Sequence, residues 1–202
     1  MELLKERILK DGIVIMPDIL KVDSFLNHQI DPTLYRQIAQ EFKARFKDTK
    51  ITKILTIEAS GIGIALATAF EFDDAPVVFA KKGTAKTTST HYYSSKVHSF
   101  TKGIDYDAIV SKKYLDKDDN ILIIDDFLAN GQAVLGLVDI VKQAGANIAG
   151  VGIVVEKGFQ TGRQLIEEKG YRVESLAVVE AFRDGAVILK SVSYTHLTLP
   201  TT

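Results

Sequence analysis

The sequence contains no cysteine. Disulfides, cysteine-ligated zinc and a thiol nucleophile are therefore excluded, and a reducing, cytoplasmic setting is expected. Charge of one sign is lacking too: 25 Lys and Arg face 26 Asp and Glu, a formal net charge of −1. A chain so balanced has no general positive excess to hold a phosphate backbone, and no nucleic-acid partner is expected. No apolar run approaches the roughly 18 residues of a membrane span. The opening MELLKERILKDG mixes charges into its apolar residues and has no signal-peptide core, so no membrane partner is expected. Internal repeats and dividing linkers are absent as well. What is present is 202 residues, 46% hydrophobic and 25% charged. A chain of that size buries about 70% of its unfolded surface, enough for a core without staples. Residues 1–190 are expected to form a single domain, with 1–30 as an N-terminal arm. The last twelve residues, SVSYTHLTLPTT, hold four threonines and fit no period, so 191–202 is read as an atypical tail outside the fold.

The hydrophobic pattern predicts a short helix over 2–10 ending at Gly12, then an irregular arm over 13–30. Asp31 and Pro32 form a good helix start. Leu34, Ile38, Phe42 and Phe46 mark the buried stripe that follows. From there the order is α/β: strands at 53–59, 76–81, 120–126, 147–157 and 172–180, and helices at 62–70, 131–144 and 160–169. Residues 97–101 and 104–110 fit a hairpin around Gly103. NILIIDD (120–126) is nearly all apolar, as strands covered on both faces are. Alternating strands and helices imply right-handed crossovers and a mainly parallel sheet. Ligands bind such sheets at the carboxyl ends of the strands.

The segment ILIIDDFLANGQA (121–133) is the most informative. A buried strand delivers Asp125 and Asp126 to its end, and a turn containing Gly131 opens a helix whose first N–H groups are free to hold a phosphate. Taken alone, the acidic pair fits sugar hydroxyls, a metal ion carried by a phosphorylated ligand, or a turn in which one Asp caps the helix. A phosphate-accepting receiver domain would place its pair early in the chain, whereas this pair falls past the middle. EASGIG (58–63) begins like a dinucleotide fingerprint, but the third glycine is replaced by Leu66 and the next strand ends in Lys81 and Lys82 rather than an acid. KKGTAKT (81–87) lacks the frame of a P-loop. DKDDN (116–120) departs from a calcium loop at Ile121, where glycine is required. The polar stretch from Lys82 to Lys96 is long for a compact domain and reads as a lid. His91 and His98 read as loop and strand residues rather than metal ligands.

The whole segment 121–133 resembles the phosphoribosyl pyrophosphate (PRPP) signature of type I phosphoribosyltransferases: apolar strand, two acids, two apolar residues, then Ala-x-Gly. The general pattern has Thr before that glycine and Gly-Thr or Gly-Ser after it. Asn130, Gln132 and Ala133 depart from this, and ANGQA is instead similar to the form found in the bacterial branch acting on xanthine. The likeness extends through VDSFLNHQIDP (22–32), TIEASGI (56–62), PVVFAKK (76–82) and GIVVEKGFQ (152–160) with the GR that follows. It implies the type I phosphoribosyltransferase fold: an α/β, mainly parallel twisted sheet flanked by helices, with a small N-terminal hood and a flexible lid loop. It also implies transfer of phosphoribosyl from PRPP to xanthine in purine salvage, with Mg2+ bound with the PRPP and a homodimer as the assembly. Asp125 and Asp126 would take the ribose hydroxyls, and Ala129, Asn130, Gly131, Gln132 and Ala133 the 5′-phosphate. Ala59, Ser60, Gly61 and Lys81 would meet the pyrophosphate, and Leu20, Asn27 and Lys157 the base. Two alternatives stay open: an enzyme for guanine, hypoxanthine or adenine, and a purine-sensing, nucleic-acid-binding regulator on the same fold.

Overall fold

The computed structural model describes residues 1–83, 91–99 and 103–190. The N-terminal helix α1 (Glu2–Asp11) leads into a hairpin of β1 (Ile13–Ile15) and β2 (Ile19–Lys21), then a single π-helical turn at Asp23–Asn27. This corrects the expectation of an irregular arm over 13–30. The hairpin pairs only three residues on each strand, Ile13 with Lys21 through Ile15 with Ile19, too few to show a period. Its turn contains the cis Met16–Pro17 peptide. Helix α2 (Pro32–Arg45) starts where expected, with the Asp31 carboxylate accepting from the N–H groups of Thr33 and Leu34 at 3.0 and 3.1 Å.

Eight strands then form the main sheet: β3 (Lys53–Ile57), β4 (Val77–Gly83), β5 (Tyr92–Ser99), β6 (Ile104–Ser111), β7 (Asn120–Leu128), β8 (Asn147–Lys157), β9 (Val173–Arg183) and β10 (Ala186–Leu189). Their spatial order is β10-β9-β8-β7-β3-β4-β6-β5. The pairs β4-β3, β3-β7, β7-β8 and β8-β9 are parallel, and the strands beyond them at both edges are antiparallel. Helices α3 (Ser60–Glu71), α4 (Gln132–Ala144) and α5 (Gly162–Glu167) are the crossovers. The chain runs outward from β3 to β4, and later outward the other way from β7 through β8 to β9. The order therefore reverses between β3 and β7, and such a reversal splays the connecting loops and opens a crevice above the strand ends.

Both faces of the sheet are covered. Leu122 and Ile124 of β7 pack into one core with Leu34, Ile38, Phe42 and Phe46, while Ile121 and Ile123 point into a second with Leu137 and Val141 of α4. Burial on both sides explains why β7 reads as an unbroken apolar run rather than an alternation.

Two expectations are revised at the edges. Tyr92 to Lys96, assigned to a lid, belong to β5, which pairs with β6 from Tyr92–Ser111 to Ser99–Ile104. Lys82 and Gly83 belong to β4. Outward-facing polar side chains masked the strand, because an exposed edge hairpin needs little apolar period. Residues 84–90 of that lid and the tail 191–202 lie outside the described residues. The regular part also continues past 180, because Asp184 (φ 51°) and Gly185 (φ 75°) form a two-residue turn that brings β10 back onto β9. That Asp-Gly pair is a hairpin signal present in the sequence.

Asp31 also pairs with Arg7 Nη1 at 2.6 Å, tying α1 to the start of α2, and these contacts hold its carboxyl below the usual range. Asp31→Ala is expected to lower unfolding free energy by about 1–2 kcal/mol through the lost cap, read from denaturant midpoints at pH 7. Because the folded pKa is depressed, the difference between the two proteins is present at neutral pH and vanishes as pH falls through that depressed value.

Candidate active site

The ends of β3, β4, β7 and β8 meet at the crevice. Asp125 and Asp126 arrive there on β7, only 6% and 8% exposed. The Asp126 N–H donates to Asp125 Oδ1 at 3.0 Å. Burial, and then the neighbouring Asp126 charge, push the Asp125 carboxyl well above the ordinary carboxylate range, while Lys82 opposes the shift. The two carboxyls thus stand side by side at the end of β7, with the ionised form of Asp125 disfavoured by its burial. From the π-helical turn, Asn27 Nδ2 donates to Asp126 Oδ2 at 3.2 Å. The Tyr35 hydroxyl donates to the Leu26 carbonyl and fastens that turn to α2. Its pKa rises to about 12 through burial and then the Asp126 charge.

Beyond the acids, Ala129 to Gly131 turn into α4. Gly131 has φ 78° and serves as the N-cap without a side-chain cap, so the first N–H groups of a 13-residue helix face the crevice. A side chain at Gly131 would lie 3.0 Å from Gly162 Cα, so glycine is required by conformation and by space. A cavity of about 180 Å³ opens beside this turn, lined by Ala129 to Ala133 on one side and Tyr106 on another.

A second uncapped helix start lies next door. The Glu58–Ala59 peptide is cis, Ala59 is the N-cap of α3, and Ser60 and Gly61 open the helix. A side chain on Gly61 would meet Thr56 Oγ1 at 2.0 Å. That buried hydroxyl has no hydrogen-bond partner among the described residues. Glu58 holds the loop in place by accepting from the Lys82 N–H at 2.6 Å.

The lysines divide. Lys81 and Lys82 are successive residues of β4 and so face opposite sides of the sheet. Lys82 has its charge felt at Asp125 and its ammonium 5.2 Å from the Tyr106 ring centroid. Lys81 is exposed at the same edge, opposite Ile109. Lys157, at the end of β8, is half-buried and donates to the Asp18 carbonyl at 2.7 Å, and burial lowers its pKa. Asp18 belongs to the β1–β2 turn, and Leu20, 6% exposed, follows it on β2. The N-terminal hairpin and turn therefore form a hood bound to β8 through Lys157 and to β7 through Asn27. Of the residues singled out from sequence, the structure brings Asn27 against Asp126 and fastens Lys157 to the strand carrying Leu20. Tyr106 and Phe127, which line the cavity, were not singled out. Tyr106 carries no local signal, whereas Phe127 directly follows the acid pair.

A reversal-point crevice with a buried acid pair and two uncapped helix starts defines an α/β protein built to hold a phosphorylated, hydroxyl-bearing ligand. The comparisons with known proteins give that class its family. Residues 22–181 match the phosphoribosyl transferase domain. A xanthine phosphoribosyltransferase of Clostridium novyi is 59% identical over 191 residues, 95% of this chain and 100% of the relative. One from Lacticaseibacillus casei is 57% identical over 93% of this chain and 97% of its own. Among solved structures, an adenine phosphoribosyltransferase from Giardia lamblia superposes with a TM-score of 0.71 over 87% of this chain and 96% of its own, at 21% identity, which speaks to the fold. This chain belongs to the phosphoribosyltransferase family, and its fold is the type I fold expected from the sequence.

Ionised Asp125 burdens the folded state. Its folded pKa is raised, so its contribution to stability is full below the unfolded pKa and is lost as pH rises through the folded one. Asp125→Asn keeps an oxygen to accept from the Asp126 N–H. It is expected to raise the Tm at pH 7, by about 2–4 °C for each kcal/mol relieved, and to leave Tm at pH 3 little changed in calorimetry.

Proposed function

We propose that the protein transfers the 5-phosphoribosyl group of PRPP to N9 of xanthine, giving xanthosine 5′-monophosphate and pyrophosphate in purine salvage. The observation that carries this reading is the 59% identity to a xanthine phosphoribosyltransferase over 95% of the chain. The crevice supplies its chemistry. The 5′-phosphate sits on the turn Ala129 to Ala133 at the start of α4, and the ribose hydroxyls lie against Asp125 and Asp126. The pyrophosphate meets the backbone of Ala59, Ser60 and Gly61 at the start of α3, with Lys81 and Lys82 beside it. The base lies under the hood, with Lys157 donating to an oxo group of the purine and Leu20 and Asn27 beside it. A point donor such as an ammonium favours an oxo group over an amino group.

No group of three or more His, Cys, Asp or Glu side chains among the described residues forms a metal cage. Mg2+ is commonly held by one or two carboxylates together with substrate phosphates, and Asp125 and Asp126 would supply that carboxylate part. The ion, bound with PRPP, supplies charge neutralisation for the departing pyrophosphate. The chain itself positions donor and base, excludes water beneath the hood, and places the carboxylate charge of Asp126 beside a ribose that becomes cationic as the C1–O bond loosens. Residues 1–190 act as one catalytic unit, which works in the cytoplasm as a homodimer.

Nucleotide formation with PRPP and Mg2+, offering xanthine, guanine, hypoxanthine and adenine separately, tests this reading. Xanthine is expected to give the highest kcat/KM. Lys157→Ala is expected to lower kcat/KM for xanthine by about 10–100-fold, the effect of losing a charge-assisted hydrogen bond, with the KM for PRPP much less affected. Turnover of another base in preference would overturn the base contacts and leave the donor site standing.

A further inference from the structure

Glu156 precedes Lys157 at the end of β8, is 3% exposed, and has no part in the reaction described above. Its carboxylate is gripped by the fork of Arg163, with Nε 2.9 and 3.0 Å from its two oxygens and Nη2 2.7 Å from Oε2. The rest of the guanidinium donates to Glu167 Oε1 at 2.7 Å, the Val173 carbonyl at 3.1 Å and Ser175 Oγ at 3.1 Å. All five N–H donors of the side chain are therefore used. A buried ion pair contributes little net stability relative to apolar packing. What it does supply is geometry, because a planar fork against a fixed carboxylate sets the position of the backbone that carries it.

That backbone touches the phosphate turn. Arg163 follows Gly162, whose N–H donates to the Ala129 carbonyl at 3.0 Å. A side chain on Gly162 would lie 2.3 Å from that carbonyl oxygen and 2.8 Å from Gly131 N, and one on Gly131 would lie 3.0 Å from Gly162 Cα. The two main chains are in contact with no room between them. Three of the groups holding Arg163 (Glu156, Val173 and Ser175) belong to β8 and β9 in the interior of the sheet. The sheet therefore fixes Arg163, Arg163 fixes Gly162, and Gly162 props the turn from behind while its N–H groups face the crevice.

We propose that Arg163, locked by Glu156, is a positioning residue for the 5′-phosphate turn, and that it sets donor affinity without touching the donor. The inference rests on the assignment of residues 129–133 to the 5′-phosphate. Removing the fork lets Gly162 and the turn drift, and N–H groups displaced by a fraction of an ångström bind an anion less well. The base side is held separately, Lys157 through the Asp18 carbonyl and Asn27 through Asp126, and neither bonds to Arg163.

The test is steady-state kinetics on the full chain with PRPP and xanthine, comparing wild type, Arg163→Lys and Gly162→Ala. Calorimetric binding of ribose 5-phosphate is measured on the same three proteins. Lysine keeps the charge but not the planar fork, while alanine at 162 pushes directly on the turn. Both variants are expected to raise the KM for PRPP by about tenfold or more and to weaken ribose 5-phosphate to a similar extent, with the KM for xanthine within about twofold of wild type. If Arg163→Lys does not accumulate as folded protein, Glu156→Gln, which removes the charge that locks the fork while leaving Arg163 in place, carries the same reading. A variant with a lowered Tm but wild-type KM for PRPP would assign Arg163 to stability alone and overturn the proposal. A parallel rise in both KM values would overturn it too. Wild-type protein that neither uses PRPP nor binds ribose 5-phosphate would overturn the assignment of the turn itself, and that failure is distinct because it lies in the parent protein.

Discussion

The reversal of strand order between β3 and β7 is the constraint on which the rest of the structure depends. Two neighbouring parallel strands whose crossovers leave in opposite directions cannot cover the space above their shared end. Both are followed directly by helices, so two uncapped helix starts face the same gap, one at Ala59 to Gly61 and one at Gly131. Each offers free N–H groups and the positive end of a helix dipole.

Beside the two helix starts lies the acid pair, whose burial works against stability. Two carboxyls at 6% and 8% exposure lose water and lie close together, and both effects raise the pKa of Asp125. The neighbours reach the pair unequally: the Lys82 charge acts on Asp125, while Asp126 accepts from the neutral amide of Asn27. The two acids are thus made chemically different by their neighbours. The same turn that carries Asn27 is braced by Tyr35 from α2, so the hood and the acid pair share one support.

Much of this is legible in the sequence. The Asp31–Pro32 helix start, the four-residue stripe from Leu34 to Phe46, and the strand 147–157 occur as predicted, because caps and periodicity act over a few neighbouring residues. The acid pair and Gly131 stood out for the same reason. What the sequence hid depends on partners far along the chain. The β1–β2 hairpin is too short to show a period, and β5 is polar because one of its faces is open to solvent. The partnership of Glu156 with Arg163, and the contact of Gly162 with Gly131, join segments that no local rule connects.

The sequence by itself determined the α/β order, the polar residues at the strand ends and the family resemblance, because each is written in short-range pattern. Only the tertiary structure decided which ends share a crevice: that Asn27 meets Asp126, that Lys157 holds the hood, and that Lys82 rather than Lys81 reaches the acids. The physical reason is that strand order, and the face on which each side chain emerges, arise from packing two cores against one sheet. That packing is a property of the whole chain, and no single segment of it carries the information.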